Sequence, residues 1–243
     1  RPTIEAEVEM TIDRSSRDKL RAHRLTQAER SQATRERVLN ATIDLLHTVG
    51  YSGATTLAIR KAATVSMGAM QHQFPTKAEL MAAVQEQLIS ARFLRIRQAA
   101  QNVADPLQRI ERLLDVAGEL IGTPLFAASM EIELARRSDP ELDQAIAEVH
   151  RHFSDGFSSL SDGVIESVGS PAGETIKQVE WLTGAVIRGL TVKVVTGGDV
   201  SEVTAAFRFW RELAIRLIAD EMRRSVPLQS IQNSNRNKRR SAD

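Results

Sequence analysis

The chain contains no cysteine, which removes disulfides, thiolate metal sites and thiol nucleophiles together. That composition suits a reducing compartment, and the cytoplasm is the expected location. Long apolar runs are also missing. The longest, Leu182 to Val195, is interrupted by Arg188 and Lys193, well short of the roughly 20 apolar residues that span a bilayer, so no membrane is expected among the partners. No charged-then-apolar leader of the signal-peptide kind opens the chain. An excess of one charge is lacking too: the net charge is +1, so the total does not advertise nucleic acid. No stretch alternates with period two for long enough to read as a sheet. Neither a G-x-S-x-G elbow, a phosphate-binding P-loop nor a dinucleotide-binding glycine fingerprint is present. His150 and His152 stand two apart and on a helix point to different faces, which is wrong for a metal pair. Catalytic residues, metals and cofactors are therefore not expected.

What remains is an ordinary globular balance, 42% hydrophobic and 26% charged, in a chain long enough to bury a core. Proline follows a capping residue at Asp105-Pro106, Thr123-Pro124, Asp139-Pro140 and Ser170-Pro171. That arrangement marks helix starts, because proline at the first helical position lacks a donor that would have no partner there anyway. Thr76…Glu79 and Asp199…Glu202 read as capping boxes. Between these starts the apolar spacing is helical. Val38, Ala41, Leu45 and Val49 line a first helix ended by Gly50, and Leu107, Ile110, Leu114 and Ala117 line another. Val203, Phe207, Trp210, Ala214 and Leu217 form a stripe near the C-terminus. The expected fold is all-α. Basic residues cluster at both ends: Arg14 to Arg37 holds eight, and Arg236 to Arg240 holds four. Residues 1–30 read as a basic, flexible extension and 227–243 as a polar, solvated tail.

The informative stretch is Gly50 to Leu80. Thr55 or Thr56 caps a short helix running to Ala63, Thr64-Val65 turns, and Ser66 caps a second short helix from Met67 to Gln73, ended by Phe74-Pro75. Two short helices across a tight turn make a helix-turn-helix, whose second helix can enter a major groove. The side chains of that second helix suit the task. Gln71 can pair bidentately with adenine, His72 can donate to a phosphate or base edge, and Met67 can touch a thymine methyl. Ser66 and the amides after it, Ala69 included, make a helix N-terminus suited to a phosphate oxygen, besides simple capping. Gly68 costs about 1 kcal/mol against alanine in a helix; close approach to DNA and close packing on a neighbouring helix are both open reasons for it. Lys77 opposes the dipole in the first turn of the next helix. A phosphate contact explains it, and a solvated lysine is the alternative.

Gly50-Tyr51, Thr55-Thr56, Ile59, Ala63, Val65-Ser66, Gly68-Ala69, His72, Phe74 and Lys77…Leu80 together resemble the DNA-binding head of TetR-family regulators, over residues 34 to 84. Ala135 to Leu142 resembles a stretch common in that family's ligand-binding half. The resemblance implies a three-helix helix-turn-helix head at 31–80 and a helical-bundle domain for effector binding and dimerisation at 81–226. It also implies a double-stranded, palindromic DNA operator, a homodimer, a small-molecule effector, and a repressor that the effector releases. Its DNA-contacting residues map onto Thr55, Thr56, Ser66, Met67, Gly68, Ala69, Gln71, His72 and Lys77. Four positions depart from the family pattern. Thr64 stands where a turn glycine is usual, so a positive φ would strain it. Arg60 replaces a small alanine, so its face must be exposed or reach phosphate. Gln71 replaces an aromatic residue, and Gln73 stands where histidine is frequent.

Elsewhere the sequence is less specific. Residues 176–195 are apolar around most of the helical circumference, which requires cover on two sides; they form either a central helix or half of a two-helix dimer interface with the stripe at 203–222. Thr76 to about Val103 reads as one long helix linking head to body. Phe126, Met130, Phe153, Phe157, Trp181 and Arg188 are the candidates for an effector pocket, although core packing explains the first five equally well, and Arg188 suits either an anionic effector or an acidic neighbour. The competing readings are a helical dimer without specific DNA binding and an all-α enzyme with an unrecognised site.

Overall fold

The computed structural model describes residues 26–168 and 170–225, with side chains described outside 154–164, 167–171 and 225. The basic run at 236–240 and most of the N-terminal extension therefore lie outside the described residues. No strand occurs among those described.

The first helix, α1 (Gln27–Gly53), begins inside the segment expected to precede the head. Its start is fixed by a capping box: the Thr26 hydroxyl accepts from the Glu29 amide at 3.2 Å, and the Glu29 carboxylate accepts from the Thr26 amide at 2.6 Å. Gly50 breaks the helix at φ 71°, ψ 178°, a conformation that glycine alone adopts cheaply. Thr55 caps α2 (Thr56–Ala63), Ser66 caps α3 (Met67–Gln73) and Thr76 caps α4 (Lys77–Ala100), each through a hydroxyl that accepts an amide three residues on. The proline steps open α5 (Pro106–Gly118), α6 (Pro124–Ala135) and α7 (Pro140–Val168), with Asp105, Thr123 and Asp139 as the capping side chains. A turn of 3-10 helix (Arg136–Ser138) joins α6 to α7, and α8 (Ser170–Val195) and α9 (Val200–Ser225) follow. Pro171 falls in the first turn of α8.

One buried cluster ties head and body together. Val38, Leu46, Ile59, Met70 and Phe74 of the first three helices pack with Leu80, Met81 and Val84 of α4, and with Ile132, Leu142 and Ile146 of α6 and α7. The boundary expected at residues 80–81 thus runs through continuous core. Farther from the head, Ile110, Leu114, Ile176, Val179, Ala214 and Ile218 join α5, α8 and α9. The Trp210 indole donates to the Thr183 hydroxyl at 3.0 Å, adding a polar tie between α8 and α9. No helix of the described residues is long and apolar enough to cross a membrane.

Candidate nucleic-acid interface and the cavity behind it

The helix α3 is held from below and open above. Met70 and Phe74 are buried in the head core, and the Arg35 guanidinium covers the Phe74 ring at 4.7 Å. Ser66, Met67, Gly68, Gln71 and His72 are exposed, and Ala69 is half-buried. These five exposed residues are the face that the sequence assigned to DNA. Among the described residues, a Cβ added to Gly68 would meet no atom within 4 Å beyond its chain neighbours and its own helix backbone. Of the two reasons open for this glycine, close packing is therefore excluded. Thr55 and Thr56 lie exposed at the start of α2, and the Thr55 hydroxyl accepts the Ala58 amide at 3.1 Å.

The departures from the family pattern find local reasons. Thr64 is left-handed, at φ 54° and ψ 51°, so the turn carries the strain expected of a residue with a Cβ there. The Val65 amide donates back to the Arg60 carbonyl at 3.3 Å, and the Arg37 guanidinium donates to the Thr64 carbonyl at 3.4 Å, so the turn is bonded from both sides. Gln73 donates to the Ser31 hydroxyl at 2.7 Å and fastens α3 to the start of α1. Arg60 is half-exposed, with its Nε buried, which leaves open both readings of that face, exposure and a reach to phosphate.

Lys77 has a partner inside the protein. Its Nζ donates to the Tyr51 carbonyl at 3.1 Å and lies 3.8 Å from the centroid of the Tyr51 ring. This position explains a lysine in the first turn of α4 without any phosphate. Burial lowers its pKa, with the Asp139 carboxylate opposing. Tyr51 is the centre of a latch that the sequence did not foresee. Its amide donates to Glu131 of α6 at 2.9 Å, and its hydroxyl donates to Asp139, the cap of α7, at 3.0 Å. Burial first, and then the Asp139 carboxylate, push the Tyr51 pKa up to about 12. Asp139 is held below its ordinary value chiefly by the Leu142 amide and also by the Tyr51 hydroxyl. The latch therefore joins the break at Gly50 to α6 and to the cap of α7.

Behind the latch lies a divided cavity. One part, about 280 Å³, is lined mainly by apolar side chains of α4, α5 and α8, among them Ile96, Leu113, Val179 and Ile187. The other, about 400 Å³, is bordered by Gln85, Ser129, Met130, Glu133 and His150. Arg92, Phe126 and Arg188 line both. Of the pocket candidates, Phe126, Met130 and Arg188 are thus in place. Trp181 is not: it is 71% exposed on the outer face of α8, because it sits on the side of the helix opposite Val179 and Ile187. Phe153 is half-buried and lines neither part, and the Phe157 side chain lies outside the described residues. Arg92 was missed, although it interrupts the apolar register Val84, Leu88, Ile96 on α4, and that interruption is a readable signal.

The outer faces of α8 and α9 carry Trp181, Leu182 and Val192, and Phe209, Leu213 and Leu217, all exposed. The apolar circumference of 176–195 therefore belongs to a helix covered on one side only, and not to the centre of the bundle.

Residues 38–84 match the family model described as bacterial regulatory proteins, tetR family. The HTH-type transcriptional regulator CymR of Pseudomonas putida is 31% identical over 70% of this chain and 83% of its own length. A transcriptional regulator from Pseudomonas aeruginosa PAO1, 20% identical, superposes with a TM-score of 0.59 over 83% of this chain and 96% of its own. A regulator from Saccharomonospora viridis, solved in complex with choline and 16% identical, gives 0.56 over 73% and 95%.

Proposed function

The chain belongs to the tetR family of bacterial regulatory proteins and is a DNA-binding transcriptional regulator; from that premise we propose that it acts as a homodimeric repressor, released from a palindromic operator by a small molecule. The observation that carries the reading is the α3 face: a helix rooted by Met70 and Phe74 that leaves Gln71, His72 and an unobstructed Gly68 outermost. In this reading Gln71 and His72 read base edges, Ser66 and Thr55 bond phosphate oxygens, and Gly68 lets the backbone approach the duplex.

Two further features support the switch. The apolar outer faces of α8 and α9 form a contiguous surface suited to a twin chain. The helix α4, 24 residues and so about 36 Å long, gives Leu80 and Val84 to the head core and Arg92 and Ile96 to the cavity. An occupant that prefers one position of α4 changes the separation of the two recognition helices, which must lie about 34 Å apart, or a multiple, to reach successive grooves. A fold relative bound to choline supports a body built to hold small molecules.

The test is polarisation binding to genomic fragments selected by the protein itself. Replacing Gln71 and His72 by alanine together is expected to weaken operator binding by about 100-fold or more, while binding to random duplex persists. An equal loss on both DNAs would remove the base-reading role.

A further inference from the structure

Resting on the reading of α3 above, we infer that residues 14–24 make a second DNA contact, a basic arm on the phosphates beside the groove that α3 enters. The segment holds Arg14, Arg17, Lys19, Arg21 and Arg24 against the single acid Asp18. Upstream the sign reverses, with Glu5, Glu7, Glu9 and Asp13 against Arg1. The cations are thus gathered in the half of the extension that adjoins the head.

The point where the chain enters the head gives this charge its place. The beginning of α1 is bonded at both ends of α3. On the side of the turn, the Arg37 guanidinium donates to the Thr64 carbonyl at 3.4 Å; at the far end, Gln73 donates to the Ser31 hydroxyl at 2.7 Å. Beyond Ser31 the helix continues to its cap at Thr26, about 7 Å farther along the axis, and Thr26 to Arg30 are exposed. Arg24 stands two residues before that cap. The basic segment is therefore tethered at the end of α3 that carries Gln71 and His72. Eleven residues reach at most about 40 Å, slightly more than one turn of duplex.

A duplex presents one negative charge about every 1.7 Å, and a tethered cation meets it at a high effective concentration. The four upstream acids are spread over nine residues, a much sparser charge, and the duplex repels them. DNA thus outcompetes the acidic half for the basic half. Lysine and arginine on phosphate carry no sequence information. The arm adds affinity and salt dependence, and α3 keeps the selectivity.

The experiment compares the full chain with its Arg17→Gln, Lys19→Gln, Arg21→Gln, Arg24→Gln variant. Polarisation is read on the selected operator and on random duplex between about 50 and 200 mM salt. The variant is expected to melt as the parent does, because the substitutions precede α1. Its log–log salt slope should be shallower by about 2 to 4, and its affinity about 10- to 100-fold lower on both DNAs, with the ratio between them unchanged. An unchanged slope overturns the arm and leaves the α3 reading standing, since that is judged by Gln71 and His72. A collapsed operator-to-random ratio overturns the phosphate assignment. A second variant, Glu5→Gln, Glu7→Gln, Glu9→Gln, Asp13→Asn, is expected to keep the parent's slope. If its slope instead steepens by 2 or more, the acids hold the basic half away from DNA in the parent, and the inference falls.

Discussion

At Gly68, helix propensity and exposure pull in opposite directions. Glycine in a helix gives up about 1 kcal/mol relative to alanine, and here no neighbour occupies the space a methyl would take. Gly68→Ala is therefore expected to stabilise the protein by about 1 kcal/mol, a rise in melting temperature of roughly 2–4 °C for a chain of this size. Operator binding should fall about tenfold or more, because the methyl stands between backbone and duplex. Calorimetry and polarisation on the same preparation check both, and a stabilised variant with undiminished binding would show that the glycine has no part at the interface. The sequence placed Gly68, Gln71 and His72 on one short helix because capping and spacing are local properties. It left the reason for Gly68 open, because only tertiary structure tells an empty neighbourhood from a crowded one. Thr64 was legible in full: a Cβ in a turn that needs positive φ gives the strained geometry observed. Lys77 was legible as misplaced against the helix dipole, but its partner, the Tyr51 carbonyl, lies 26 residues away and leaves no local trace.

At the scale of elements, the latch couples the end of α1 to α6 and α7 through one side chain. Tyr51 is the single tyrosine of the chain, so tyrosinate absorbance reports on it alone. Its folded pKa is raised from 10.0 to about 12, so its contribution to stability is fully present below pH 10 and is lost as pH climbs toward 12. The depressed pKa of Asp139 acts in the opposite sense: its contribution is present above about pH 3.9 and is lost as pH falls through the lower folded value. Between these limits the hydroxyl stays a donor and the carboxylate an acceptor, so the latch holds throughout the neutral range. A spectrophotometric titration is expected to give a midpoint near 12 in the native protein and near 10 in denaturant. Asp139→Asn should lower the native midpoint, leaving the shift due to burial. A native midpoint near 10 would mean that the Tyr51 ring is neither buried nor bonded as described. The segment Ala135 to Leu142 was recognisable by resemblance, yet its role was not, since the Tyr51–Asp139 bond spans 88 positions. The caps of α5, α6 and α7 were readable for the opposite reason: each is decided within four residues.

For the whole molecule, the apolar outer faces of α8 and α9 and the α3 face have to act together. Phe209 is 71% exposed, so Phe209→Glu leaves the interior of one chain untouched while placing charge on the proposed pairing surface. It is expected to turn a dimer into monomers by light scattering, and to weaken operator binding about 100-fold or more through loss of the second half-site. A dimeric variant, or a monomer that binds as well as the parent, would relocate the pairing surface. The sequence reached this surface only as an alternative, because a helix apolar on two sides fits a bundle centre as well as a shared face; the exposure of Trp181 rules out the bundle centre. Within the body, the walls of the cavity were not readable, since a residue such as Leu113 or Val179 has the same local pattern in a packed core as beside a void. Hydroxyl-radical footprinting of an operator recovered by genomic selection examines the arrangement as one object. Two protected tracts centred about one helical turn, or a whole number of turns, apart on one face of the duplex are expected, both vanishing in the Gln71→Ala, His72→Ala protein. A single tract, or protection that survives those two substitutions, would mean that DNA is not held by paired α3 helices.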